Sequence, residues 1–344
     1  MGKEIDKFGK KRLLVIGNQV PQDWEFRRGV ENATQKPWDL RINVINRYDG
    51  LNKFTRYLTY VIGPLRLFFI RNRYEKILYW EQFLGLMMVF YCRLFHVKKY
   101  PEITVMALIY KPKKGLIGKI FSWFVRYAVT SKYIRKIIVY SKSEADYYAA
   151  LFNVPREKFR VETLGIADRK ELIQKTDKGE KYYLSAGRSN RDYHFLRAAW
   201  PQDGKKMIVV CDVEKAKDGR GIHYEKDCHG DEYLRLLSKA YASVVPLESE
   251  RFSSGQLVFL QSFMLGVPVI ATRNDTVAEY VEDGVNGFII EKRPEPLAEA
   301  LKKLDDPEIY QRMQHAARKA YETRFSLFEL GRRVGLCTEG QNPS

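Results

Sequence analysis

Residues 246–287 read PLESERFSSGQLVFLQSFMLGVPVIATRNDTVAEYVEDGVNG, and their punctuation decides the fold class. Ala242–Val245 is a short apolar strand that stops at Pro246. A polar, acidic loop follows. Ser253-Ser254-Gly255-Gln256 then opens an apolar helix, Gly255–Leu265, which leads into a buried strand at Val269–Ala271, a helix at Thr276–Val281 and a strand at Gly287–Ile290. Strands alternating with helices at this spacing specify an α/β domain with a parallel sheet. Small residues at the start of the 255–265 helix leave backbone N–H groups open to an anion, and Gly255 admits a phosphate close to the chain. The same serines also serve as ordinary N-caps.

The alternation continues in both directions. Upstream, Tyr182–Ala186 and Met207–Cys211 read as strands, with helices from Asp192 and over Glu232–Ala240. Downstream, Pro294–Arg324 carries two helical stretches. In the first half, Arg12–Gly17, Trp38–Asn46, Lys76–Trp80, Ile103–Ile109 and Ile137–Tyr140 are strand candidates. Ser141 and Glu144 have capping-box spacing for a helix. A length of 344 residues suits two domains. The expected fold is therefore α/β, two tandem Rossmann-like doubly wound domains with a ligand cleft between them. The expected boundaries are an acceptor-binding, membrane-associating domain over 1–168, a linker over 169–180, a donor-binding domain over 181–325 and a C-terminal tail over 326–344.

The 246–287 segment resembles the donor-binding half of family-four glycosyltransferases of the GT-B kind (glycosyl transferases group 1). The residues carrying the resemblance are Gly266-Val-Pro-Val-Ile-Ala-Thr272 and Glu279-Tyr-Val-Glu-Asp-Gly-Val-Asn-Gly287. It covers roughly Tyr182 to Phe325, and the N-terminal half more weakly. The family commonly has two glutamates seven residues apart. Here Ser253 and Gln261 stand at those positions, a variant with an SSGQ turn. The resemblance implies that Gln261 takes the ribose through its amide. Glu248 and Glu250 lie just upstream, either near the donor sugar or simply in a solvated loop.

Gly187-Arg188-Ser-Asn-Arg191-Asp192 follows the first strand of the second domain and opens a helix. Two guanidiniums on one turn suit a diphosphate. In the family a Gly-Arg and a nearby Lys bind the donor diphosphate here, which implies Gly187 and Arg188, with Arg191 in place of the Lys. Ser253, Ser254, Gly255 and Gln256 complete that expected site. Asp192 reads as a helix cap. Asp227, Cys228 and His229 stand where family members hold the base; His229 is equally a surface residue. The catalytic candidates are Asp23, on the loop after the first strand, and Glu81, between a strand and a helix, both in the first domain, and Glu250 in the second, although Asp23 also fits a helix-start residue. Lys111, Lys113 and Lys114 suit an acceptor pyrophosphate or lipid headgroups. The family histidine of this domain has no clear match.

The formal net charge is +17. Between Lys53 and Lys136 stand 17 Lys and Arg against three acids, Glu75, Glu81 and Glu102, a surplus of 14 in one quarter of the chain. Interleaved with Phe, Tyr, Leu and Ile, this suits an anionic membrane surface; the alternative is a solvated basic face. The expected contact stretches are Asn52–Arg73 and Gly115–Lys136. Cys92, Cys211, Cys228 and Cys337 form neither a disulfide framework nor a zinc motif. The N-terminus lacks a signal-peptide pattern, and no segment reaches a spanning length. No Asp-x-Asp stands at a strand end, so no metal and no other cofactor is expected.

The expected function is transfer of a sugar (hexosyl type) from a nucleotide-diphosphate donor to a lipid-linked or polysaccharide-precursor acceptor. The setting is the cytoplasmic face of the cell membrane, and the resemblance implies retention of anomeric configuration. The alternatives are a non-catalytic relative and a basic membrane- or nucleic-acid-binding protein. No nucleic-acid module is recognisable, and no G-x-G-x-x-G follows either leading strand to support a dinucleotide oxidoreductase.

Overall fold

The computed structural model describes residues 11–17, 19–21, 23–43, 53–110, 112, 114–173, 181–211, 221–248 and 254–341, with the side chains of 53–56 excepted. They divide into two units. Unit 1 comprises 1–162 and 331–344, and unit 2 comprises 163–330.

Unit 1 is a six-stranded, all-parallel sheet built from β1 (Lys11–Ile16), β2 (Asp39–Ile42), β3 (Tyr74–Tyr79), β4 (Glu102–Val105), β5 (Ile134–Val139) and β6 (Phe159–Val161), in the order β2-β1-β3-β4-β5-β6. Its crossover helices are α1 (Glu25–Thr34), α2 (Lys53–Ile70), α3 (Gln82–Leu94), α4 (Gly115–Val129) and α5 (Lys142–Phe152). The strands are apolar on both faces because helices cover both. Leu13, Val15, Ile77, Tyr79, Ile103 and Val105 pack with α3 and α4 on one face. Leu14 and Leu78, pointing the other way, are fully buried too. The capping box at α5 forms as read: Ser141 Oγ accepts from the Glu144 N–H at 3.2 Å, and the Glu144 carboxylate accepts from the Tyr140 N–H at 3.1 Å. β4 is shorter than Ile103–Ile109, because Ala107 adopts a left-handed φ of 58° and ends the ladder.

Unit 2 holds β7 (Tyr182–Ala186), β8 (Lys206–Val210), β9 (Ile222–Glu225), β10 (Ser243–Val245), β11 (Val269–Thr272) and β12 (Gly287–Ile290), in the order β12-β11-β10-β7-β8-β9, again all parallel. Its helices are α6 (Tyr193–Ala199), α7 (Gly230–Lys239), α8 (Gln256–Met264), α9 (Pro294–Leu304) and α10 (Pro307–Ala320). Neighbouring strand residues face opposite cores. Leu184, Val245 and Ala271 join α7 and α8, whereas Tyr183, Val244 and Ile270 join α6, α9 and α10.

Four expectations are corrected. Residues 326–344 are not a tail. Leu327–Thr338 is a helix, α11. From Gly331 onward it belongs to unit 1, where a Cβ at Gly331 would lie 2.1 Å from the Phe26 carbonyl oxygen of α1. Its end is tied down by Glu339, which pairs with the buried Arg12 at 2.6 Å and with Lys76 at 3.0 Å. The described part of the 169–180 linker, 169–173, lies inside unit 2, with Leu172 buried in its core; 174–180 lie outside the described residues. Ile222–Glu225, absent from the strand candidates above, is a strand, β9; as the edge of the sheet it alternates with polar residues. Thr276–Val281 forms only a single 3-10 turn, Val277–Glu279.

Candidate active site

In an open parallel sheet the loops beyond the carboxyl ends of two adjacent strands part where their helices leave toward opposite faces, and ligands bind there. In unit 2 this point lies between β7 and β10, since α6 packs on one face and α8 on the other. The two expected donor segments are the loops that leave those strands, and the structure joins them. Arg191 and Leu247 form an antiparallel bridge, and the Asp192 N–H donates to the Pro246 carbonyl at 2.9 Å. Asn190 Nδ2 donates to Ser254 Oγ at 2.7 Å, which ties the arginine turn to the start of α8. Asn190 has a φ of 54°, a left-handed turn conformation that Asn tolerates.

The two arginines have different surroundings. Arg188 is exposed, and its Nη2 hydrogen-bonds His229 Nε2 at 3.0 Å. Arg191 folds back over Gly187 and donates to the carbonyls of Ala186 at 2.9 Å and Ser189 at 3.1 Å. Burial holds its pKa below the usual arginine value. A Cβ at Gly187, whose φ is 128°, would lie 2.8 Å from Arg191 Nε, so the glycine is required by the fold of this loop. Gly255 has a φ of 90°, and a Cβ there would meet the Phe259 ring at 2.9 Å. No side chain caps α8 at Gly255, and Gln256 is its first residue.

Asp192 caps α6 as expected, accepting from the Phe195 N–H at 2.8 Å, and it also pairs with Lys292 Nζ at 2.8 Å. Burial pushes its carboxyl up, but Lys292 and the Phe195 N–H outweigh that and hold it below the usual range. Lys292 also reaches the Glu248 carbonyl at 3.3 Å, clamping the loop after β10 to the start of α6. Lys292 and Asn190 were not singled out from sequence. Their signals there are a lysine just past the last apolar strand and an asparagine inside a turn. Asp192→Ala is expected to cost about 1–2 kcal/mol of stability, through loss of the cap and the Lys292 pair. Denaturant unfolding of the variant measures it.

The other expected donor residues are placed as follows. Gln261 is half-buried on α8. Asp227 is exposed with a φ of 57°. Cys228 is buried, which raises its thiol pKa. Glu248 is exposed. Ser253 and Glu250 lie outside the described residues.

In unit 1 the corresponding point lies between β1 and β3. Glu81, just past β3, accepts a 2.6 Å hydrogen bond from the Gly17 N–H at the end of β1. Burial raises its carboxyl to about 7, with the Gly17 N–H only partly offsetting it. Asp23 is exposed in a turn before α1, whose N-cap is Trp24. Lys114 is exposed at the start of α4; Lys111 and Lys113 lie outside the described residues.

Two parallel doubly wound units in tandem define the GT-B class, and solved structures agree. Sucrose-phosphate synthase from Thermosynechococcus elongatus matches with a TM-score of 0.64 at 14% identity, over 96% of this chain and 98% of that one. Anabaena HepE, solved with UDP and glucose, matches at 0.59 and 13% over 96% and 99%. WaaG, a glycosyltransferase involved in lipopolysaccharide biosynthesis, matches at 0.57 and 15% over 95% and 99%. Residues 189–306, which include Asn190, Arg191 and the whole of α8, match the family model of glycosyl transferases group 1. Alpha-D-kanosaminyltransferase from Streptomyces kanamyceticus is 27% identical over 49% of this chain and 45% of that protein, so the chain spans about half the length of this curated relative.

Proposed function

We propose that this protein transfers a sugar from a nucleoside-diphosphate donor held on unit 2 to a lipid-linked or polysaccharide-precursor acceptor taken by unit 1. The reading rests on the joined loops after β7 and β10, which bring Arg188 and the start of α8 together at a ligand-binding edge. The leaving diphosphate develops negative charge as the glycosidic bond to it breaks. A guanidinium and the backbone N–H groups of a helix start stabilise that charge without reorganising. Arg188, with Ser254, Gly255 and Gln256, takes the diphosphate; Gln261 takes the ribose, and the turn at Asp227–His229 takes the base. Transfer proceeds with retention and without a metal. The HepE structures hold UDP or UDP-glucose, so uridine nucleotides head the screen.

A thermal-shift screen of the full chain against UDP, GDP, ADP and CDP, with and without Mg²⁺, tests the donor reading. A ligand at about 100 times its dissociation constant adds about 2.7 kcal/mol. A stabilisation by one nucleotide that is unchanged by Mg²⁺ is the expected result. No response to any of them would move the protein to the non-catalytic alternative.

The acceptor is proposed to lie at an anionic membrane on the cytoplasmic side. Leu116, Ile117, Ile120 and Trp123 form one exposed stripe on α4, with Ile117 82% exposed and Leu116 74%. Lys114 and Lys119 are exposed beside it. The pattern suits a helix lying in the lipid interface, with its cations at the headgroups. No helix among the described residues is long and apolar enough to cross a membrane. Vesicles containing phosphatidylglycerol should sediment the protein, less so as salt rises. Ile117→Glu with Ile120→Glu should weaken binding by about 10-fold or more, given about 1.5–3 kcal/mol per buried isoleucine. Equal binding by this double variant would remove α4 from the membrane surface.

A further inference from the structure

The carboxyl edge of unit 1 is stitched together by two consecutive side chains. Glu81 accepts from the Gly17 N–H at 2.6 Å and so holds the loop after β1. Gln82 holds the loop after β4, accepting from the Ile109 N–H at 2.9 Å and donating to the Ile109 carbonyl at 3.2 Å. That second loop contains Ala107, a non-glycine residue in the left-handed region, and it continues to Tyr110, whose N–H donates to Tyr148 Oη at 3.0 Å. The loops after β1 and β4 are thereby tied to the start of α3, and the half-buried Glu81 carboxyl stands at the point where ligands bind in such sheets. No charged side chain among the described residues contributes to its titration; burial and backbone N–H groups alone set it. The Gly17 N–H occupies one carboxylate lone pair, and a carboxylate accepts several hydrogen bonds.

We propose that Glu81 is the acceptor subsite of this protein, its carboxylate receiving the hydrogen bond of a saccharide hydroxyl while the Gly17 N–H holds it in place. This rests on the glycosyltransferase reading above and names which carboxyl group meets the acceptor. A hydroxyl has one proton to donate, so the ionised carboxylate takes it and the protonated acid competes with it as a donor. Saccharide binding therefore strengthens as the pH rises through about 7, where the group ionises.

The full chain labelled with ¹⁵N-glycine tests this. The Gly17 amide is identified as the glycine resonance that Glu81→Gln displaces most. In the unsubstituted protein it should titrate with a midpoint near 7 and in Glu81→Gln it should not. Octyl β-glucoside, octyl β-galactoside and octyl N-acetyl-β-glucosaminide, each below its micelle concentration, are then added. At least one should shift the Gly17 resonance, with about 10-fold or greater weakening between about pH 8 and about pH 5.5. Glu81→Gln should abolish that pH dependence. A Gly17 resonance that all three leave unmoved at pH 8, or glycoside binding equally tight and equally pH-dependent in Glu81→Gln, overturns the subsite. Nucleoside-diphosphate binding is measured on the same samples. If it persists while the glycoside effects fail, the subsite is wrong and the donor reading stands. If it is absent throughout, the donor reading fails first.

Discussion

Arg188→Ala will weaken nucleoside-diphosphate binding by about 100-fold, and so remove about 2.7 kcal/mol of ligand-induced stabilisation at fixed nucleotide concentration. The magnitude is that of one charge-assisted guanidinium–phosphate interaction in a partly desolvated site. The unliganded variant should unfold within about 0.5 kcal/mol of the parent, because Arg188 is exposed. Arg191→Ala should behave in the opposite way. Its guanidinium is spent on the carbonyls of Ala186, Ser189 and Asn190, so its loss should cost about 1–3 kcal/mol of fold stability. Isothermal calorimetry with the nucleotide found in the screen, alongside urea unfolding, separates the two. Unimpaired nucleotide binding by Arg188→Ala would take the diphosphate away from this loop.

The second large effect is a stability difference that depends on pH. The Glu81 carboxyl is raised from an ordinary 4.5 to about 7 in the folded protein. The folded state therefore holds this proton more tightly than the unfolded state. Stability contributed by the group is complete below about pH 4.5, falls as pH rises through the window between 4.5 and 7, and is level above it. A shift of that size corresponds to at most about 3 kcal/mol, and partial exposure reduces it to about 1–3 kcal/mol. Glu81→Gln keeps an oxygen for the Gly17 N–H but never ionises. The two proteins should be nearly equally stable near pH 4.5, and the variant more stable by about 1–3 kcal/mol at pH 8. Urea midpoints measured across that range read it directly. A difference that does not change with pH would show that Glu81 titrates like an ordinary surface carboxyl.

Both effects arise where the chain leaves a strand, and such positions differ in how much of them local sequence determines. The strand–helix alternation, the parallel two-sheet fold, the α5 capping box and the Asp192 cap depend on periodicity and on hydrogen bonds between residues three or four apart. Such features are written locally. The loop that carries Arg188 and the turn before α8 were likewise legible, because glycine and small polar residues mark them and because the motifs around Gly266 and Gly287 resemble one family.

Pairings between residues far apart in the chain arose only with folding. Arg188 and Arg191 look alike in Gly187–Asp192; only the fold of the loop, with Gly187 yielding space to Arg191, commits one guanidinium to backbone carbonyls and leaves the other exposed. Lys292 gained its place because β12 lies in the same sheet as β7, which brings Asp192 within 2.8 Å of a lysine a hundred residues later. The last helix reads as a tail by position, and becomes part of unit 1 only through the close approach of its glycines to α1 and the Glu339 ion pairs. Short-range patterning in the chain was enough to specify most of the strand–helix alternation and the fold class. Which residues stand exposed and which are bound into the frame was set by packing across sequence distances that no local pattern encodes.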